Sequence, residues 1–382
     1  MLTKKQVYLT GIEAVEGVAE TLDPATDAVL ILEGATITPE GQVVGSARLN
    51  ATLSGEPDKI GQKSLSLTAT CEFRGNGIVG SAVNPPDFDA MLRASAMKRD
   101  GIEFLAVDTV TVTGTFVRDE VITGGTSSAT GLLIANVGGG LLYEPLTGTF
   151  ESGESVTGGD SSASANSIAA PTTGYRYKPT STESEMKSMT GVRYLDGHKY
   201  TVFGARNTFS LNLPTGDKPT IAFTMSGRWS APAQAPNPTP TLNPADAPLV
   251  VNMGLKVGGH APLGVNALTL DMANTVTKAS DLNAADGVRA YTITARKPAG
   301  TFDPEAEDLG DYNPIQDWMD GTNAELSFLL GSVPGNRIYT LMPKIQRTAV
   351  AYGDREGRVI YNESFEAKRD DVGDDELSMC FF

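Results

Sequence analysis

Apolar and polar residues alternate through residues 197–229 on both sides of a polar break that contains glycine. Phe209, Leu211 and Leu213 fall two apart, and so do Ile221, Phe223 and Met225. In a pleated strand that period places each set on one face. The stretch therefore predicts a β-hairpin whose two arms bury the same side. Pro214 and Pro219 bracket Thr215, Gly216, Asp217 and Lys218. The prolines remove backbone donors and the glycine admits a turn conformation closed to most residues, so the break is the turn. A related pattern returns over residues 337–368, where Gly353, Asp354 and Arg355 stand in the place of Gly216, Asp217 and Lys218. Sixteen positions separate Tyr200 from Gly216 and fourteen separate Tyr339 from Gly353.

Upstream of each hairpin the order of elements also repeats. An alternating strand at residues 64–73 leads to a helix predicted over residues 85–97, where Pro85 and Pro86 suit a first turn and Phe88, Met91, Leu92 and Ser95 share a face. A strand at residues 288–295 leads to a shorter helix over residues 314–319, with Ile315, Trp318 and Met319 on one face. These repeats predict two diverged copies of one β-rich unit. The first is split between residues 1–110 and 173–232, and the second covers residues 249–382. Residues 233–248, rich in proline, read as a semi-rigid linker between them.

Three further stretches shape the expectation. The apolar run at residues 28–32 has the character of a buried strand. Residues 42–53 and 62–73 alternate around a tip of turn chemistry, Glu56, Pro57, Asp58 and Lys59, which predicts a long projecting hairpin. Residues 111–172 are dominated by Gly, Ser and Thr and carry their own repeat. Thr113-Gly114-Thr115-Phe116, Glu120 and Thr123-Gly124-Gly125 return as Thr147-Gly148-Thr149-Phe150, Glu154 and Thr157-Gly158-Gly159, offset by 34 residues. The fixed offset favours a small all-β insertion over a disordered loop.

Composition narrows the class. The chain has 382 residues with 41 glycines and 22 prolines, and no apolar run long enough to span a bilayer. With 30 basic and 46 acidic residues its formal charge is −16, which argues against a general affinity for phosphate backbones. The N-terminal residues show no apolar segment of a secretory signal, so synthesis in the cytoplasm is expected. Cys71 and Cys380 read as buried, inert thiols, with a single bridge as the other possibility. Asp370, Asp371, Asp374, Asp375 and Glu376 read as a solvated tail, and Phe381 and Phe382 hint at docking on a neighbour.

Catalytic and cofactor chemistry finds little support. Neither His198 nor His260 has a second histidine or a carboxylate at ligand spacing, and no Gly-x-Ser-x-Gly elbow occurs. Gly75, Gly77 and Gly80 satisfy a dinucleotide-type spacing, but Asn84-Pro85-Pro86 separates them from the predicted helix. Asp87 and Asp89, close to that helix start, read as dipole partners rather than as an acid-base pair. No catalytic, cofactor or metal site is expected.

Taken together, the residues resemble the major tail tube proteins of long, flexible-tailed bacteriophages. The resemblance is carried by Asp27-Ala28-Val29-Leu30, by residues 65–77 with Leu92-Arg93-Ala94, and most strongly by Gly204-Ala205-Arg206-Asn207 through Gly216-Asp217-Lys218-Pro219 to Ser226-Gly227. It implies a mainly β fold, two tandem sandwich-like units each with a short helix, whose inner sheets join across subunits into a closed barrel ring. Rings of that family are sixfold or pseudo-sixfold, so a two-unit chain would close as a trimer and a one-unit chain as a hexamer. The chain's partners would be itself, then the tail tip, tape measure and tail terminator proteins, with DNA passing through the lumen unbound and no membrane involved. Met1, Leu2 and Tyr8 of the arm and Glu56, Pro57, Asp58 and Lys59 of the hairpin tip are expected between stacked rings, and Glu72 in the lumen. A carbohydrate-binding or adhesin-like β protein is the alternative, and it requires solvent-exposed aromatics in the insertion, where Phe116, Tyr143 and Phe150 are available.

Overall fold

A computed structural model describes residues 2–49, 51–78 and 84–382. The chain opens with β1 (Gln6–Ile12) and β2 (Ala28–Val29), followed by the long hairpin of β3 (Thr36–Val44) and β4 (Lys59–Glu72). Helix α1 (Asp89–Ala94) and β5 (Met97–Ala106) come next. Five short strands form the insertion: β6 (Val121–Gly124), β7 (Thr130–Val137), β8 (Gly140–Thr147), β9 (Ser155–Gly158) and β10 (Ser164–Asn166). β11 (Thr172–Pro179) and β12 (Met189–Leu195) lead into the hairpin β13 (His198–Pro214) and β14 (Thr220–Trp229). Beyond β15 (Ala233–Gln234) lie β16 (Lys256–Val257), β17 (Ala267–Asp271), β18 (Thr275–Ser280), β19 (Val288–Ala295) and β20 (Ala299–Phe302). Helix α2 (Pro314–Asp320), β21 (Asn323–Leu330), the hairpin β22 (Ile338–Arg355) and β23 (Arg358–Ala367), and β24 (Ser378–Phe381) complete the order. The protein is mainly β, with sheets stacked as a sandwich.

One sheet runs through the whole molecule in the spatial order β3, β4, β14, β13, β17, β20, β23, β22, every neighbouring pair antiparallel. It consists of two sets of four with the same connectivity. In each, the second strand of a hairpin pairs with the second of two strands from earlier in the chain. β13 and β22 are long because they serve two layers. Their first halves pair with β12 and with β21 and β24, and their second halves belong to the continuous sheet. A bulge between Phe203 and Arg206 in β13, and another between Arg347 and Ala349 in β22, bends each strand from one layer to the other.

Period two then sorts the residues. Leu65, Leu67, Ala69 and Cys71 of β4, Ile221, Phe223 and Met225 of β14, Phe209, Leu211 and Leu213 of β13, and Leu268 and Leu270 of β17 face a common core and are buried. Helix α1 covers this face with Met91 and Leu92, Phe88 standing just before it. It is shorter than the periodicity predicts: it starts at Asp89, and Ala96 at φ 57° turns the chain away. Helix α2 spans the predicted segment, where Asn313 caps the amide of Gln316 and Gly321 closes the end in the left-handed conformation.

Several expectations change in the folded chain. The counterpart of Gly216 (φ 79°) is Gly357 (φ 82°), not Gly353, because β22 carries on through Gly353, which pairs with Ile360. The true spacing of the second hairpin is therefore longer than the Tyr339 to Gly353 interval suggests. Of the apolar run at residues 28–32 only β2 is strand. Phe381 and Phe382 do not reach a neighbour. Phe381 is seated among Phe73, Phe88 and Tyr177, and Phe382 stacks on Phe104 with centroids 5.0 Å apart. The acidic stretch before them is tied down by Arg296 on Asp374 and by the amides of Asp370 and Asp371 on Asp375. Both cysteines are free and buried.

Candidate functional site: a polar sheet face and two open edges

The face of the continuous sheet that turns away from the core is made of small polar side chains. One cross-strand row reads Glu72, Thr220, Asn212, Thr269, Thr301, Ser364 and Ala349, each residue paired with the next. A second reads Thr36, Thr68, Thr224 and Thr208. Hydroxyls meet across the ladder at Thr36 and Thr68 and again at Thr269 and Thr301, both pairs at 2.7 Å. Such pairs suit a pleated surface because the β-branched side chain is already restricted at χ1.

Charge on this face is sparse: Glu72 and Glu366 are paired with lysines, and Asp271, opposite Ser210, is exposed. Glu72 lies on it, in alternation with buried Cys71 and Phe73, and the Lys218 ammonium donates to its carboxylate at 2.7 Å. That hydrogen bond and charge hold the lysine above its ordinary value. Glu366 sits between Lys297 and Lys368, whose hydrogen bonds hold its carboxyl low. The face is therefore better described as hydroxyl- and amide-lined than as strongly acidic.

The sheet has two edges. At one end β3 pairs only with β4, and at the other residues 349–355 of β22 pair only with β23, among the described residues. Between them, inside the chain, the equivalent edges are joined: Ser210 lies opposite Asp271, Leu211 opposite Leu270 and Asn212 opposite Thr269. Tyr352, on the open edge of β22, is 63 % exposed.

The other expected contact residues are distributed differently. Met1 lies outside the described residues. Leu2 is exposed, and its backbone N–H donates to Asp196 Oδ2 at 2.7 Å. Tyr8 is not available to any neighbour: it is a core residue whose hydroxyl donates to Met225 Sδ at 2.9 Å, because β1 is sandwiched between β2 and β12. Glu56 is half-buried, and Pro57, Asp58 and Lys59 are exposed at the tip of the long hairpin.

The insertion explains its own repeat. The Glu120 carboxylate accepts from the amides of Val117, Asp160 and Ser161 and from the Ser161 hydroxyl, while Glu154 accepts from Glu151, Thr126 and Ser127 in the same way. Each copy's glutamate thus closes the other copy's Gly-Gly turn. Burial acts to raise both carboxyls, but the donated hydrogen bonds outweigh it and hold both below the usual range. Phe116, Tyr143 and Phe150 are all buried in this body.

The family model described as phage tail tube protein matches residues 4–368. The chain belongs to the phage tail tube family. Its place is accordingly the tail of the virion, and its class is that of a structural tail protein. No significant match to a curated protein was found. Among the described residues no helix is long and apolar enough to cross a membrane, and no group of three or more His, Cys, Asp or Glu residues could hold a metal ion.

Proposed function

We propose that this tail tube subunit polymerises through the two open edges of its continuous sheet, closing as a trimer into a pseudo-sixfold β-barrel ring, and that stacked rings conduct DNA from capsid to host. The observation that carries the reading is the seam inside the chain. β13 and β17 already join two four-stranded sets, and the same two kinds of edge, β22 and β3, stand open at the ends. Transferring the register of the inner seam places Ala351 opposite Thr38, Tyr352 opposite Ile37 and Gly353 opposite Thr36 of the next copy. That register covers exposed Tyr352 and keeps the polar and apolar faces continuous, which a slip of one residue would not.

Closure removes both edges, and a ring that accepts another on either face grows as an open filament. The Ser, Thr and Asn rows then line the channel, with Glu72 among them. Hydroxyls and amides with the nearby lysines already paired to carboxylates offer phosphates little to grip, so DNA slides through unbound. Leu2 is the residue of the arm that we assign to contact between stacked rings. Tail tip, tape measure and terminator proteins would cap and fill the polymer, and the role is non-enzymatic. The carbohydrate-binding alternative requires exposed aromatics that the buried Phe116, Tyr143 and Phe150 do not supply.

Negative-stain electron microscopy of the concentrated protein, with symmetry averaging of end-on views, tests this. Rings or tubes with a central hole and three chains per ring are expected. Six chains per ring would overturn the two-unit closure, and particles that never show a hole would overturn the tube.

A further inference from the structure

The long hairpin of β3 and β4 has a copy in the chain, and the copy shows where such a hairpin goes. The pairs Thr36–Thr68 and Val43–Ile60 return as Thr269–Thr301 and Val276–Ile293, all at an offset of 233 residues. β17 and β18 together therefore match β3, and β19 and β20 match β4. The two copies differ in what covers their outer halves. β18 and β19 fold across β13 and β14 of the neighbouring unit. Arg228 holds Asp286 at 2.9 Å, Arg206 Nε donates to the Tyr291 carbonyl at 3.3 Å, and the Asn274 amide donates to Thr208 Oγ1 at 3.0 Å. Ile293 is only 9 % exposed there. Its counterpart Ile60 is 53 % exposed, and Val43 across the ladder is 60 % exposed.

We infer that the outer half of the β3–β4 hairpin, residues 42–62, clasps the next copy of this chain within the same ring, lying across its β22–β23 hairpin as β18–β19 lies across β13–β14. The receiving surface is the corresponding one. The hairpins correspond at an offset of 140 residues before the β22 bulge, which puts Gln346 in the place of Arg206, and at 141 beyond it, which puts exposed Ala349 in the place of Thr208. Asp58 takes the place of Tyr291. The tip residues Glu56, Pro57, Asp58 and Lys59 then meet a subunit of their own ring, not the ring above or below. This rests on the ring reading, and it adds a second joint beside the edge-to-edge seam: burial of Val43 and Ile60, two branched side chains that leave water on assembly.

The test is the double variant Asp58→Cys with Gln346→Cys, assembled and treated with a short bismaleimide. Cys71 and Cys380 are buried, so the introduced thiols are the reactive ones. A denaturing gel is expected to show a ladder that stops at three chains, because head-to-tail links within a ring close on themselves. An unbounded ladder would place the contact between rings, and absence of cross-links in tubes seen by microscopy would remove it altogether; either overturns the clasp while leaving the tube intact. Absence of rings and tubes would overturn both. As a second readout, Val43→Ser with Ile60→Ser is expected to leave the subunit's melting temperature unchanged and raise the concentration needed for assembly about tenfold or more. An unchanged assembly concentration would overturn the clasp.

Discussion

The two four-stranded sets share a topology but fill the same place with opposite chemistry. In the first, Phe223 of β14 packs against Phe209, and Asn207 donates to the Met91 carbonyl at 3.0 Å. In the second, Glu363 stands where Phe223 stood and Arg347 where Asn207 stood. Arg347 donates to Glu363 at 2.6 Å, to Asp317 at 2.9 Å and to the Tyr312 hydroxyl at 3.0 Å, and that hydroxyl donates to Glu363 at 2.6 Å. Every partner in this buried cluster is satisfied by another, which is the condition under which charge can replace an aromatic. The backbone ladder is thus indifferent to what lies beneath it, provided that the occupants of one site change together. That is how two four-stranded sets can share a register while differing in the side chains beneath it.

The sharpest way to break the comparison is to remove one member of the cluster. Arg347→Met leaves Glu363 buried without its cation and should cost about 3–5 kcal/mol in urea unfolding. Adding Glu363→Leu should return most of that loss, converting the second set to the apolar scheme of the first; a double variant as unstable as the single would show that the two sites are not interchangeable. In the first set the loss should be smaller. Asn207→Ala removes one buried amide donor and should cost about 1–3 kcal/mol by the same measurement.

Acidity gives the finest comparison, between Glu363 and the paired glutamates of the insertion. Burial raises the Glu363 carboxyl above its usual range against the opposing pull of Arg347. As pH climbs through the window above the ordinary carboxylate value, the unfolded chain has already released this proton, so the group's contribution to stability falls. Glu120 and Glu154 are held low, so their contribution is present above the ordinary carboxylate value and is lost as pH drops through their lowered ones. Protection against hydrogen exchange across residues 120–165, taken relative to the intrinsic rate at each pH, should therefore fall on acidification before it does in the core strands. Glu154→Gln should abolish most of that early response; an unaltered pH profile would deny the glutamates this role.

Much of the architecture was legible because it depends on period. Phe209 to Met225 announced their hairpin, Pro314 its helix, and the 34-residue offset its short strands. The repeated order of elements was legible, but not its register. Residues 288–295 align with the outer half of the first hairpin, whereas sequence order had set them beside its inner half, because a break at Lys297 and Pro298 splits in two what is one strand in β4. The polar sheet face was legible only at Glu72. Its other members, Thr269, Thr301 and Ser364, are unremarkable residues that acquire meaning through cross-strand pairing, which no local pattern reveals. Tyr8 and Phe381 misled for one reason: a large aromatic near the end of a stretch looks the same whether it waits for a partner or fills its own core.

The two thiols carry a last consequence. Cys71 lies under the sheet and Cys380 beneath the outer layer, both buried, and burial pushes each above the ordinary thiol value. The thiolate is the form that oxidants and disulfides attack, and here it is suppressed as well as sealed off. A virion spends its idle life in air and in oxidising fluids, outside any reducing cell. A tail built from this chain ages there without thiol chemistry to cross-link it.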